Sequence, residues 1–282
     1  MLVNILLLAI VIIMATTLLE DIAKQLDIFN VSELLPHEQT VPPNLKRLKE
    51  AMLNIGQLVD PIIVDKETKV VLDGNHRLKV LQIIECPLSV CQTVEYKDPK
   101  IVVGTWYLAV NKPIEDILKT NIKVEKIDCD EGKKALTNSK APFMAVCKKD
   151  GNQNACFIEP GSYRLKELIE EQNYVLSSMK GDFDIRYIPD DQSEEYLSKG
   201  YSVFFRRAYT KDEIIKAAKD HNPFPPKSTR HIIPDRIIRL NMRLGWLHEE
   251  KSEALRHLNE MLANRVYNGN VRRYVEPVIV IY

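Results

Sequence analysis

The chain has 282 residues, 45% of them hydrophobic and 28% charged. That excludes a disordered or low-complexity polypeptide and leaves room for about two domains. Lys plus Arg and Asp plus Glu both number 39, so the formal net charge is zero, which argues against a dedicated nucleic-acid binder, since such proteins carry a basic excess or stripe.

The run 2–19 is almost wholly apolar, broken by Asn4, Thr16 and Thr17. As a signal peptide it lacks leading cations and a clear small-residue cleavage site. As a membrane anchor its length, about 18 residues, just suffices to span. Alternatively Met14 opens a cytoplasmic protein. The expectation is a cytoplasmic chain, secreted or anchored if the run is genuine.

Leu45, Leu48, Met52 and Ile55 fall at spacings of three, four and three, as one face of a helix requires. Pro42-Pro43 suits its start and Gly56 its end. Residues 61–65 and 70–72, separated by the charged turn 66–68, read as a β-hairpin. Asp73-Gly74-Asn75-His76-Arg77 follows, then a helical run over 78–84 and a strand over 87–96. Beyond, strands are expected at 101–107, 122–127, 143–147, 155–158, 184–188 and 203–207, with a hairpin turn at Asp150-Gly151. Helices are expected near 113–119, 164–179 and 211–220. A Pro-rich loop, 222–226, leads into Lys227-Ser228-Thr229-Arg230-His231. A strand over 236–242, a helix over 249–265 and a strand over 275–281 close the chain.

The five cysteines, Cys86, Cys91, Cys129, Cys147 and Cys156, form no C-x-x-C pair and no zinc-finger spacing with histidine. They are expected to be ordinary buried or half-buried thiols of a reducing compartment.

Four segments carry chemistry. In Asp73 to Arg77 a strand ends, a glycine turns the backbone and a helix begins. The first N–H groups of a helix have no internal partner and sit at its positive end, a ready site for an anion. His76 and Arg77 add donors, and Asp73 could orient a neighbour or hold Mg²⁺; the plain alternative is an ordinary capped turn. In Pro36-His37-Glu38, Glu38 is a candidate general base, or a surface glutamate. Lys227 to His231 packs cations, hydroxyls and an imidazole on a rigid approach, fit for an acidic ligand, or forms a solvated basic turn. Thr105-Trp106-Tyr107 could wall a small pocket or simply fill core.

In order and spacing these segments resemble the ParB/sulfiredoxin-like free serine kinases. Those proteins carry a PHE segment, a DG-x-HR box, a TW segment and a late TRH-like segment, here Pro36-His37-Glu38, Asp73 to Arg77, Thr105-Trp106 and Thr229-Arg230-His231. The resemblance spans about 31–238, and the later part, to 282, looks more like a bacterial, ATP-using member of the family from siderophore synthesis. It implies an α/β (α+β) fold, with a ParB-like nucleotide-binding core at 30–110, a second mixed α/β domain at 111–282 and serine held between the two; the apolar segment at 1–29 precedes the resemblance and has no counterpart in it. It implies transfer of a phosphoryl group from ADP or ATP, with Mg²⁺, to the hydroxyl of free L-serine. Glu38 and Asp73 would be catalytic. Asp73, Gly74, Asn75, His76 and Arg77 would hold the nucleotide phosphates. Trp106, Lys227, Thr229, Arg230 and His231 would hold serine. No protein side-chain metal site and no nucleic-acid partner are implied, and a membrane enters only through the apolar run.

Position 75, a cysteine in sulfiredoxins, is Asn here, so that reaction lacks its nucleophile. The box has a single Arg where partition proteins of the ParB type have two, and the downstream segment is strand-rich. A ParB-like regulator that senses a nucleotide or other ligand without turnover remains the alternative to a kinase.

Overall fold

The computed structural model describes residues 17–117, 124–149, 153–179 and 185–274. The chain divides into two compact units that interleave along the sequence. One takes residues 1–35, 40–96 and 233–282, and the other takes 36–39 and 97–232.

The first unit is built on a five-stranded sheet. Its order is β1 (Leu26–Asn30), β6 (Leu88–Val94), β4 (Ile62–Asp65), β5 (Val70–Asp73), β2 (Leu35–Pro36), with β3 (Gln57–Leu58) lying outside it. β4 and β5 form the expected hairpin, bulged between Ile63 and Val64, and β4 runs parallel to β6. Strand β4 is buried along its whole length and β5 and β6 nearly so, which is why their sequences read as continuous apolar runs rather than as an alternation. Helix α1 (Pro42–Ile55) starts on the two prolines and stops where Gly56 turns left-handed, φ +69°. Its inner face is Leu45, Leu48 and Met52. Ile55, expected on that face, is exposed. Helix α2 (Asn75–Ile83) follows β5 directly.

The C-terminal segment returns to this unit. Helix Lys251–Tyr267 buries Ala254, Leu258, Leu262 and Val266, spaced four apart, and the first three join the core that holds Leu26, Ile28, Leu81 and Val90. The strand expected at 236–242 does not form. Only Met242–Arg243 pairs, with Gln57–Leu58. Asp235, Arg239 and Asn241 have positive φ, which breaks an extended run. Side chains meet the backbone there instead: Gln92 Oε1 accepts the Ile237 N–H and Asp60 Oδ1 accepts the Arg239 N–H, at 2.9 and 2.7 Å.

The second unit has a six-stranded antiparallel sheet. Its order is β12 (Ile185–Pro189), β8 (Trp106–Val110), β13 (Ser202–Phe205), β10 (Met144–Lys149), β11 (Gln153–Ile158), β9 (Glu125–Ile127). Apolar clusters cover both of its faces, one with Leu108, Phe143, Val175 and Phe204, the other with Ala109, Met144, Val146 and Val203. The strand expected at 101–107 is two strands in two sheets, because the chain breaks at Thr105. β7 (Val102–Gly104) pairs instead with β14 (Arg230–Ile232). Strand Leu26–Asn30 and helices Cys129–Thr137 and Ser193–Ser198 were not expected. The turn expected at 150–151, the strand at 275–281 and the apolar run up to residue 16 lie outside the described residues. Among those described, no helix is long and apolar enough to cross a membrane.

The cysteine expectation needs correction. Cys129 and Cys156 form a disulfide, Cα atoms 5.3 Å apart. β9 pairs with β11 at Cys156, which lies opposite Ile127, and the helix beginning at Cys129 starts two residues after β9. Sheet pairing thus brings together sulfurs 27 positions apart in sequence. Cys86, Cys91 and Cys147 are buried thiols, and burial pushes the Cys91 thiol up to about 12.

Candidate functional site

In the first unit, β5 delivers Asp73 to a sharp turn. Gly74, with φ +102°, is the residue before α2. A side chain there would be strained in backbone, and its Cβ would lie 3.2 Å from the Arg77 guanidinium. Arg77 points back under the turn. Its Nη1 donates to the carbonyls of Asp60 and Pro61 at 2.8 and 2.6 Å, and its Nη2 donates to Asp73 Oδ2 at 2.9 Å. This arginine is therefore a brace for the turn, and its forked edge is committed to protein oxygens. The second cation at Asp73 is one the sequence reading missed: Arg236 Nη1 lies 3.3 Å from Asp73 Oδ2 and is more exposed than Arg77. Burial alone would push the Asp73 carboxyl up, but Arg77, Arg236 and the Gly74 N–H outweigh it and hold the carboxyl below the usual aspartate value. His76 Nε2 accepts the Val41 N–H at 3.0 Å, so a neutral ring can donate only through Nδ1. Asn75 is buried.

In the second unit, Pro36 to Gln39 packs as an extended piece against the Pro-rich loop. Phe224 N–H donates to His37 O and Gln39 N–H to Phe224 O, at 2.8 and 2.9 Å. Glu38 is thereby aimed at the 227–231 segment. Its Oε1 accepts the Thr229 N–H at 2.6 Å and the Thr229 hydroxyl at 2.7 Å, and its Oε2 accepts the Lys227 N–H at 3.3 Å. His37, fully buried, places Nε2 2.7 Å from the same Thr229 hydroxyl and 4.0 Å from Glu38 Oε1. Its ring meets that of His231 edge-on, centroids 5.3 Å apart.

The loop carrying these donors is built around a buried cation. Arg206 bonds to Trp106 O through Nε, to Ser228 Oγ through Nη1 and to Lys227 O through Nη2. Burial pulls this guanidinium below its ordinary value, opposed by Tyr209, Glu38, Tyr187 and Tyr107. Ser228 Oγ donates to Pro225 O, Thr105 Oγ1 to Ser228 O and Trp106 Nε1 to Thr229 O, so the segment is fixed from several sides. Lys227 is left-handed, φ +60°. Its Nζ lies 5.1 Å from the Trp106 ring centre, and the Arg230 guanidinium carbon lies 5.8 Å from it. Arg230 Nη1 is held by Asp190 at 2.9 Å and reaches Asp191 at 3.5 Å. Asp190 also accepts the Thr105 N–H at 3.2 Å and fills the space a side chain at Gly104 would need.

Glu38, Trp106, Lys227, Thr229, Arg230 and His231 thus share the second unit, and Asp73 to Arg77 lie in the first. Sequence reasoning missed His37, Asp190, Asp191 and Arg206 in the one, and Asp60 and Arg236 in the other. Arg206 carried a signal: a cation directly after the apolar strand end Phe204-Phe205 needs a partner when buried. The aspartates carried none.

No family model matches the chain. It is 30% identical over 221 residues to an ATP-dependent L-serine kinase of Staphylothermus marinus, covering 73% of this chain and 85% of the relative. It is 26% identical over 234 residues to an ADP-dependent L-serine kinase of Thermococcus kodakarensis, covering 77% and 90%. A solved free serine kinase mutant in complex with AMP superposes with a TM-score of 0.68 at 23% identity, over 79% of this chain and 94% of that one; this likeness supports the mixed α/β fold.

Proposed function

The chain belongs to the L-serine kinase family, and on that premise we propose that it phosphorylates the hydroxyl of free L-serine from a nucleotide, giving O-phospho-L-serine. The observation that carries this reading is the Glu38 carboxylate, held by the Thr229 N–H and hydroxyl and the Lys227 N–H. A general base for an alcohol must be fixed in direction before the substrate arrives. In the reaction Glu38 takes the hydroxyl proton, the serine oxygen bonds to the terminal phosphorus, and the bond from that phosphorus to the nucleotide breaks. The nucleotide leaves as AMP from ADP or as ADP from ATP. Relatives of both donor types resemble this chain.

The residue roles are assigned from the resemblance together with the contacts each group makes within the protein. The turn 73–77 presents the first N–H groups of α2 to the nucleotide phosphates. Arg77 acts beneath the turn as its brace, and Arg236 stands at Asp73 as the more exposed cation. Trp106, Lys227 and His231 line the serine side. Asp190 orients Arg230, whose remaining edge suits the serine carboxylate. Mg²⁺ fits this arrangement in one way. Asp73 is a single, partly exposed carboxylate, and Mg²⁺ is commonly bound through one or two carboxylates together with substrate phosphates. When bound it would neutralise charge on the transferring group.

The test is direct. The purified chain is incubated with Mg²⁺, ADP or ATP and a panel of amino acids, and phosphoserine is measured by ³¹P NMR. Phosphoserine from serine alone supports the reading. Nucleotide binding with no turnover of any amino acid overturns it in favour of a ligand-sensing regulator.

A further inference from the structure

His37 has no role in the chemistry just described, yet it is a buried polar side chain 2.7 Å from the hydroxyl that holds the base. The hydrogen inventory of this cluster is restrictive. An ionised carboxylate only accepts, and a threonine hydroxyl has one hydrogen. At 2.7 Å from Glu38 Oε1, the Thr229 hydroxyl must spend that hydrogen on the carboxylate. The Thr229 oxygen can then only accept from His37, so His37 must carry a hydrogen on Nε2. The chain of donors runs one way, from His37 to Thr229 to Glu38.

This direction distinguishes the two carboxylate oxygens. Oε1 is filled by two short bonds, the Thr229 N–H and hydroxyl, at 2.6 and 2.7 Å. Oε2 has a single long one, from the Lys227 N–H at 3.3 Å. We propose that His37 is a positioning residue which, acting through Thr229, commits Oε1 of Glu38 to the protein and reserves Oε2 as the oxygen that takes the substrate hydroxyl proton. Without the His37 hydrogen, Thr229 could rotate its own hydrogen toward the imidazole nitrogen. Oε1 would lose a donor, and the two oxygens would compete for the incoming hydroxyl. The inference rests on Glu38 being the base.

Two measurements test it. The first needs no substrate: long-range ¹H–¹⁵N NMR of the histidine rings of the whole chain, with the His37 signals identified by their loss in His37→Gln. A ring with hydrogen on Nε2 is expected, and a neutral ring with hydrogen on Nδ1 overturns the proposal. The second is kinetic. His37→Phe keeps a ring of similar size but removes the donor, and should lower kcat about 10- to 100-fold with serine KM changed less than about threefold. His37→Gln, which can still donate to Thr229, should recover most of that loss. In a Glu38→Gln background, His37→Phe should cost little more, because the two act as one unit. A full loss in that background, an equal loss in His37→Gln and His37→Phe, or normal kcat in His37→Phe would each overturn the proposal. Should His37→Phe fail to fold, the NMR result on the parent chain decides. Since the NMR result stands without turnover, the inference and the serine kinase reading can fail separately.

Discussion

Replacing Glu38 by Gln perturbs three hydrogen bonds and one charge, and the magnitudes can be worked separately. The amide oxygen can keep the place of Oε1 against the Thr229 N–H and hydroxyl. Those two bonds, at 2.6 and 2.7 Å, then fall from charge-assisted to neutral, a loss of about 1 kcal/mol each. The amide nitrogen takes the place of Oε2 and turns a donor toward the Lys227 N–H, 3.3 Å away, at a cost of about 1 kcal/mol or more. The variant should therefore be about 3 kcal/mol less stable, which for a chain of this size lowers Tm by roughly 6–12 °C, and should still be folded at 25 °C. There, loss of the base should reduce kcat by about 10²–10⁴. Nucleotide affinity should hold, because none of the three partners of Glu38 belongs to the turn 73–77. The assay pairs phosphoserine formation with calorimetric titration of nucleotide and a thermal melt. A kcat within threefold of the parent, in a protein shown to be folded, would refute the assignment of the base. A lost nucleotide affinity would refute the separation of roles.

Arg77→Ala should lower both Tm and nucleotide affinity, since it removes bonds to Asp60 O, Pro61 O and Asp73. Arg236→Ala should lower nucleotide affinity with Tm nearly unchanged; calorimetry and melts on the pair decide, and the reverse pattern would exchange the two roles. Arg230→Lys should raise serine KM with kcat retained, because an ammonium cannot keep Asp190 and grip a carboxylate with two parallel bonds; a kcat loss at constant KM would place Arg230 on the phosphoryl group. Reducing the Cys129–Cys156 bond, which closes a loop of 27 positions, should cost about 3.6 kcal/mol on the chain-entropy account, read as a lower Tm in reductant than without it and absent in the Cys129→Ala, Cys156→Ala double variant. Asp73 titrates below its ordinary value, so its contribution to stability is complete above the unfolded aspartate value, near pH 4, and is lost as pH falls through the folded one. Asp73→Asn should therefore flatten the acid limb of a stability–pH curve, and an unchanged limb would remove Asp73 from it.

Local signals in the sequence marked local structure well. Pro42-Pro43 and Gly56 bracketed a helix because both act on their own backbone. Gly74 marked the turn because only a glycine enters it without strain. Glu38 could be picked out from the sequence as a candidate base. Its partners were not, since Thr229 lies 191 positions downstream and reaches it through the Phe224 backbone, which no side-chain pattern encodes. Arg77 was read as a ligand donor because its carbonyl partners, Asp60 and Pro61, are main-chain groups. The run 236–242 was apolar enough for a strand, but Gln92 and Asp60 supply its hydrogen bonds. A single boundary near residue 110 could not describe units that exchange the chain at 36–39 and again at 233. The disulfide was hidden for the same reason: sheet pairing, not spacing, joins its ends.

The return of the C-terminal helix to the first sheet has a consequence for synthesis. Ile28 and Ala254 share one core although 226 positions separate them. At about 5–20 residues per second, the ribosome needs roughly 11–45 s to connect the two. Throughout that interval β1 and β6 have formed no complete apolar layer, while the intervening residues of the second unit emerge and can condense on their own. Strand β1 is thus made well before the helix that seals it. A message truncated before Lys251 would leave Leu26, Ile28 and Val90 without the helix that covers them, a product suited to aggregation or to capture by a chaperone rather than to function.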